Sequence, residues 1–519
     1  MDSRRLLRTS ATALAAAGLI LSGCTGGSDA AAPADPGTTR ARAADRPSPA
    51  PEALKEFYGQ KLAWRDCGTA GFQCATLRAP LDYAKPAGPE IRLAVSRVRA
   101  SGPGTRIGSL LVNPGGPGGS AVDYLQGYAG VGYPEPVRAR YDMVAVDPRG
   151  VARSEPVECL TGPEMDAYTQ VDQTPDDQAE TKALVASFQR FAEGCEKRTD
   201  EVLPHVSTVE TARDMDILRA VLGDERLHYV GASYGTFLGA TYAELFPGRV
   251  GRLVLDGAMD PSLSALDLNR DQTAGFETAF GAFAADCVAR PDCPLGTGTP
   301  ESAGEALKKF FRAADAAPVP TGESRLLGES LATTGVIAAM YDESAWPQLR
   351  EALTRAIGGE GSALLALADS YYEREPDGSY TNLMFANAAV NCLDLPPAYQ
   401  GPADAEKAVP SFEKASPVFG AGLAWAALNC TYWPAEATGR PHRITAEGAA
   451  PILVVGTTRD PATPYRWAES LADQLSSGTL LTYEGDGHTA YGRGSDCVDT
   501  AINTYLLEGT PPPAGKRCS

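Results

Sequence analysis

Residues 227–236 read Leu-His-Tyr-Val-Gly-Ala-Ser-Tyr-Gly-Thr and place Ser233 at the centre of a Gly-x-Ser-x-Gly pentapeptide. Residues 227–230 have the make-up of a short buried strand, and residues 236–246 carry apolar side chains at helical spacing. Ser233 therefore sits on a strand-to-helix turn. Gly231 and Gly235 suit such a turn, because the backbone bends sharply and neighbouring elements crowd any Cβ there. The turn reads as a nucleophile elbow: its strain pushes the serine hydroxyl out of the sheet, and the following helix offers the N–H of Tyr234 and a positive dipole end. In a chain with 54 glycines the pentapeptide also arises by chance, so its flanks and partners decide the reading.

Working outward, residues 108–113 (Gly-Ser-Leu-Leu-Val-Asn) form an apolar strand that runs straight into Pro-Gly-Gly-Pro-Gly-Gly-Ser at 114–120. Such a loop leaves main-chain N–H groups bare at the carboxyl end of a strand, where α/β sheets place ligands. Gly116 is expected to complete an oxyanion hole with Tyr234. A phosphate loop is the competing use, but no Gly-Lys-Ser/Thr ending follows. Residues 143–147 give a second buried strand leading into Pro148, Arg149 and Gly150, residues 91–98 alternate as a half-exposed strand, and residues 250–256 make another.

Asn-Pro-Gly-Gly-Pro-Gly after one strand, Asp-Pro-Arg-Gly after the next and Gly-Ala-Ser-Tyr-Gly at the elbow resemble the α/β-hydrolases of the proline iminopeptidase group. More closely, they resemble the exported tripeptidyl aminopeptidases of actinobacteria, several of which are lipoproteins. The likeness runs from about residue 55 to the C-terminus and includes residues 207–223 and the pair Asp256, Gly257. It departs at Pro114, where proline iminopeptidases usually carry histidine, and this favours the tripeptidyl branch. The resemblance implies an α/β-hydrolase fold, a mostly parallel sheet with helices on both faces, and peptide substrates with a free N-terminus.

After residue 256 the strand rhythm stops until Pro451. Residues 261–445 are mainly helical in pattern, as at 341–357, and an insertion of that size between two strands reads as a cap over the site. The last strand signals are 452–455 and 480–483. Asp460 follows the first and His488 the second, giving the order Ser, Asp, His that the fold requires. Only four histidines exist: His228 lies within the strand before the elbow, His205 and His442 lie in Pro-flanked connections, and His488 alone occupies a loop at the catalytic edge. Asp486 is a rival acid, but two residues from His488 it is better placed to shape the turn. His488 would take the Ser233 proton, Asp460 would hold the imidazole, and the N–H groups of Gly116 and Tyr234 would receive the oxyanion; no metal or organic cofactor is needed. An aminopeptidase also needs a carboxylate for the substrate ammonium. Asp394, in Ala-Val-Asn-Cys-Leu-Asp, lies in a segment resembling a recurrent one of the tripeptidyl family, with Asp342 and Glu343 as alternatives. A carboxylesterase would use the same triad, whereas a solute-binding lipoprotein would have no use for it.

The net charge of −19 and the lack of a long basic run speak against nucleic acid as a partner. At the N-terminus Arg4, Arg5 and Arg8 precede an apolar run at 11–21, and Leu-Ser-Gly-Cys at 21–24 resembles a bacterial lipobox, implying cleavage before Cys24 and a lipid on its sulfur. Ten further cysteines in an exported chain favour disulfides; local pairing is expected (67 with 74, 159 with 195, 287 with 293, 392 with 430, 497 with 518), since each closes a modest loop. The expected organisation is a signal peptide at 1–23, a disordered tether at 24–53, a hydrolase core at 54–260 and 446–519, and the cap at 261–445.

Overall fold

The computed structural model describes residues 51–199 and 201–519; the signal sequence, Cys24 and all but the end of the tether lie outside the described residues. Ten strands form one sheet: β1 (Arg65–Asp66), β2 (Phe72–Pro80), β3 (Glu90–Val98), β4 (Gly108–Asn113), β5 (Tyr141–Val146), β6 (Leu227–Ala232), β7 (Val250–Asp256), β8 (Ile452–Arg459), β9 (Gly478–Asp486) and β10 (Lys516–Cys518). Their spatial order is β1-β2-β3-β5-β4-β6-β7-β8-β9-β10. From β5 to β10 every neighbouring pair is parallel, while β1, β2 and β3 are joined antiparallel at one edge.

Parallel strands need crossovers, and helices supply them: Thr208–Val221 leads into β6, Tyr234–Leu245 joins β6 to β7, Tyr465–Gln474 joins β8 to β9, and Asp496–Glu508 precedes β10. The central strands are apolar on both faces because both are covered. Leu111, Val144, Tyr229, Leu253 and Val454 pack into one buried cluster, while their chain neighbours Leu110, Met143, Val230, Val254 and Leu453 pack into the other. This is the α/β-hydrolase arrangement. The apolar runs at 108–113 and 250–256 match β4 and β7, while β1, β2 and β10 were not anticipated. β2 mixes Gln, Thr and Arg into its run and ends in proline, and β10 is three residues held by the Cys497–Cys518 disulfide.

The loop after β5 is fixed by charge. Arg149, fully buried, makes a two-pronged ion pair with Asp214 at 2.7 Å on both bonds and donates to the carbonyls of Pro80, Leu81 and His205. Such a buried charge is tolerated because every face of it is paired. Asp147 accepts from the Ser120 hydroxyl and the Val122 N–H, which fastens the far end of the glycine-rich loop.

Between β7 and β8 the regular elements of the described chain are helices, apart from isolated bridges at 319 with 327 and 374 with 380. Helices Ala265–Val288, Pro300–Ala316, Glu329–Met340, Trp346–Ile357 and Ser362–Tyr372 share their own core of Phe280, Phe283, Leu307, Leu331, Leu353 and Leu364 among others. The helix expected across 341–357 begins at Trp346, after a 3-10 turn at Glu343–Ala345. Helix Leu383–Asp394 is different: Phe385, Ala389, Cys392 and Leu393 join the core that covers the sheet. All five local disulfides are formed.

Candidate active site

Ser233 has φ 55° and ψ −124°, a left-handed conformation that a side-chain-bearing residue adopts only under constraint. The constraint is visible. Its N–H donates to the Asp256 carbonyl at 2.9 Å, and Thr236, one turn into the helix, returns both its N–H and its hydroxyl to the Ser233 carbonyl at 2.8 and 2.6 Å. A Cβ on Gly231 would sit 2.3 Å from the Gly235 carbonyl oxygen, and one on Gly235 would sit 3.0 Å from both oxygens of Asn113. The two glycines let β4, β6 and the elbow helix touch through their backbones.

The glycine-rich loop packs directly onto the elbow. Gly115 has φ 95°, and a Cβ there would lie 2.9 Å from the Ser233 Cβ. The Gly115 N–H is occupied by Asn113 Oδ1 at 2.9 Å. The main-chain N–H groups of Gly116 and Tyr234, expected from the sequence to receive the oxyanion, have no protein acceptor among the described residues.

His488 Nδ1 lies 2.9 and 3.0 Å from the two carboxylate oxygens of Asp460. Asp460 is buried, and its charge is met by the N–H groups of Ala462 (2.9 Å), Thr463 (2.8 Å) and Thr489 (3.2 Å). The rival Asp486 turns away to a two-pronged ion pair with Arg459. Of the other histidines, His228 accepts from the Arg252 N–H and is driven down to about 4 by burial, while His442 pairs with Glu244. Three residues not anticipated also place the imidazole. The Tyr341 carbonyl accepts from the His488 N–H at 2.9 Å and its ring meets the imidazole edge to face at 5.4 Å; Thr463 Oγ1 is 3.4 Å from Nδ1; and a Cβ on Gly257 would lie 3.3 Å from His488 Cε1. Tyr341 carries no local motif, so only the folded contact reveals it.

Two cavities meet at Ser233. A more enclosed one of about 270 Å³ is lined by Gly116, Ser233, Tyr234, Asn387, Asn391 and Asp394 among others. A more open one of about 370 Å³ is lined by Gly116, Ser233, Glu373 and His488 among others. Asp394 is buried in the wall of the first, accepting from the Thr208 N–H at 2.8 Å and the Thr208 hydroxyl at 2.5 Å. Burial pushes its carboxyl up to about 7 against the pull of those bonds. Asp342 and Glu343, the alternatives, line instead a surface groove with Arg350 and Arg493, and Asp342 pairs with Arg493 at 2.8 Å.

Residues 108–336 match the model of the alpha/beta hydrolase fold, and residues 416–518 match that of the TAP-like protein. The chain is 36% identical to the serine protease Hip1 of Mycobacterium tuberculosis over 89% of its own length and 91% of that protein's. It is 38% identical to carboxylesterase B of the same organism, covering 99% and 98% of the two chains. It is 34% identical to the tripeptidyl aminopeptidase of Streptomyces lividans, covering 88% and 86%.

Proposed function

The chain belongs to the tripeptidyl aminopeptidase family of α/β-hydrolases, and from that premise we propose that it is an exported exopeptidase releasing short peptides, three residues long, from free amino ends. The coarser activity is that of a serine hydrolase of the peptidase type. Ser233 attacks the peptide carbonyl as His488 removes its proton, Asp460 holds the imidazole tautomer and stabilises its protonated form, and the N–H groups of Gly116 and Tyr234 receive the oxyanion, each worth about 3 kcal/mol. His488 then protonates the leaving amine, and water releases the peptide from Ser233.

One observation carries the exopeptidase reading: of the two cavities that share Ser233, only the open one contains His488. The leaving amine takes its proton from His488, so the remainder of the substrate occupies that open side. The released N-terminal piece occupies the enclosed side, whose wall holds the Asp394 carboxylate. Residues 261–445 act as the cap that closes this side. Comparing a tripeptide anilide with its N-acetyl analogue tests the reading; equal kcat/KM for the two rejects it.

A second reading, hydrolysis of carboxylic esters, is favoured by the 38% identical relative named carboxylesterase B. Ester and amide substrates of the same acyl group, assayed in parallel, separate the two. For export, residues 1–23 act as the signal, Cys24 carries the lipid and residues up to 53 tether the enzyme. Cys24→Ala should free it from the membrane fraction, and a variant that still sediments with membranes defeats the anchor.

A further inference from the structure

Helix Leu383–Asp394 brings one polar stripe to the enclosed cavity. Asn387, Asn391 and Asp394 stand at i, i+4 and i+7, which share a face of an α-helix, and all three line that cavity. Phe385, Ala389, Val390 and Leu393, on the remaining faces, are buried in protein. At the near end, Asn387 Nδ2 donates to the Pro117 carbonyl at 3.1 Å, which sets this residue beside Gly116 and the oxyanion position. Asn391 Nδ2 donates to Asn387 Oδ1 at 3.0 Å, continuing the ladder.

The last turn of this helix is held rigidly. The Leu393 carbonyl accepts from the N–H groups of Thr438 and Gly439, a Cβ on Gly439 would lie 2.2 Å from the Asp394 carbonyl oxygen, and the Cys392–Cys430 disulfide pins the last turn. A carboxylate offers about four acceptor sites, and Thr208 uses two of those on Asp394, so capacity remains for an ammonium. Asp260, the other carboxylate of this cavity, has Oδ1 filled by Ser262 N, Ser262 Oγ and Gln474 Nε2, bonds that hold a turn in place.

We propose that this helix face is a ruler: the amides of Asn387 and Asn391 pair with the main chain of an extended substrate, Asp394 binds its terminal ammonium, and their spacing sets release at three residues. Seven helical residues rise about 10 Å. An extended chain advances about 3.3 Å per residue, so the ammonium of a third residue also stands about 10 Å from the scissile carbonyl. A dipeptide stops one residue short of Asp394. A tetrapeptide would carry its ammonium past Asp394, and the cavity's other carboxylate, Asp260, is already committed to its own turn. The ruler rests on the exopeptidase reading above.

The test uses di-, tri- and tetra-alanyl anilides, each with a free and an acetylated amine, with products read by mass spectrometry. Wild type, Asp394→Asn, Asn391→Asp and the double variant are compared, and labelling of Ser233 by a fluorophosphonate reports that each is folded. Wild type should favour the free tripeptidyl substrate. Asp394→Asn should lose about tenfold or more in kcat/KM on it, mainly through KM, the size of a charge-assisted contact, while acetylated substrates change little. The double variant moves the carboxylate inward by about 4.5 Å and should shift preference toward the dipeptidyl substrate. Asn391 is exposed, so the single Asn391→Asp variant gives the same readout, a gain on the dipeptidyl substrate, if the double variant is not labelled. Sensitivity to acetylation with an unchanged length preference in every folded variant overturns the ruler alone. Insensitivity of wild type to acetylation overturns the ruler and the exopeptidase reading together.

Discussion

The Ser233 N–H donates to the carbonyl of Asp256 at 2.9 Å, while the Asp256 carboxylate accepts from the N–H groups of Ala490 and Tyr491 at 3.0 and 2.8 Å. One residue at the end of β7 thus ties the elbow to the loop that follows His488. Complete burial pushes this carboxyl up to about 6. Asp256→Ala leaves two buried N–H donors unpaired, each costing about 1–3 kcal/mol. Asp256→Asn keeps an acceptor but loosens the loop. We expect urea unfolding to show a large loss for the alanine variant, and steady-state kinetics to show a lower kcat with little change in KM for the asparagine variant. A KM effect alone would assign Asp256 to substrate binding instead.

Removal of the Ser233 hydroxyl or the His488 imidazole should abolish nearly all turnover, because the triad acts as a unit. Asp460→Asn should lower kcat by about 10⁴, since an amide facing Nδ1 favours the wrong tautomer. Asp486→Asn should cost little beyond its ion pair with Arg459. Kinetics on one anilide substrate with all four variants decides this, and an inactive Asp486→Asn beside an active Asp460→Asn would exchange the two acids.

Much of this site is local and therefore legible in sequence. The elbow, the glycine-rich loop and the loops bearing Asp460 and His488 each follow a strand whose apolar run announces it. What could not be read is whatever depends on contacts between distant segments. Tyr341 meets His488 across 147 residues of chain, and its neighbours contain no pattern for that contact. Family likeness points to Asp394 as a candidate, but its partner Thr208 and the link from Thr208 to the Tyr234 hydroxyl appear only in the fold. β2 was missed for a related reason: its pairing with β3, from Phe72 opposite Val98 to Pro80 opposite Glu90, compensates for a run too polar to be recognised alone.

The elbow glycines make a sharper test of steric reasoning. A Cβ at Gly231 would meet the Gly235 carbonyl oxygen at 2.3 Å and the Tyr229 ring at 2.5 Å, so backbone or a buried ring must shift. At Gly127 a Cβ would meet nothing within 4 Å. Gly231→Ala should therefore destabilise by about 1–3 kcal/mol or more, as overpacking does, and displace Ser233 enough to cost activity. Gly127→Ala should be neutral or slightly stabilising. Thermal unfolding and fluorophosphonate labelling rates read both effects; a fast-labelling, stable Gly231→Ala protein would show that the elbow has slack.

Asp394 gives a pH dependence whose sign can be worked out. Burial raises its carboxyl from 3.8 to about 7, so between those values the folded protein retains a proton that the unfolded chain has lost. Stability is then fully present below about pH 4, falls as pH rises, and levels off above about 7 once both states are ionised. Asparagine at this position can still accept from the Thr208 N–H and does not titrate. The difference in melting temperature, Asp394→Asn minus wild type, should therefore climb by a few degrees from pH 4 to 7 and stay level beyond. Glu210 and Asp256, raised to about 7 and about 6, impose slopes of the same sign on both proteins, and these cancel in the difference. A difference that is constant with pH would mean that Asp394 is ionised throughout in the folded protein, already compensated by donors beyond Thr208.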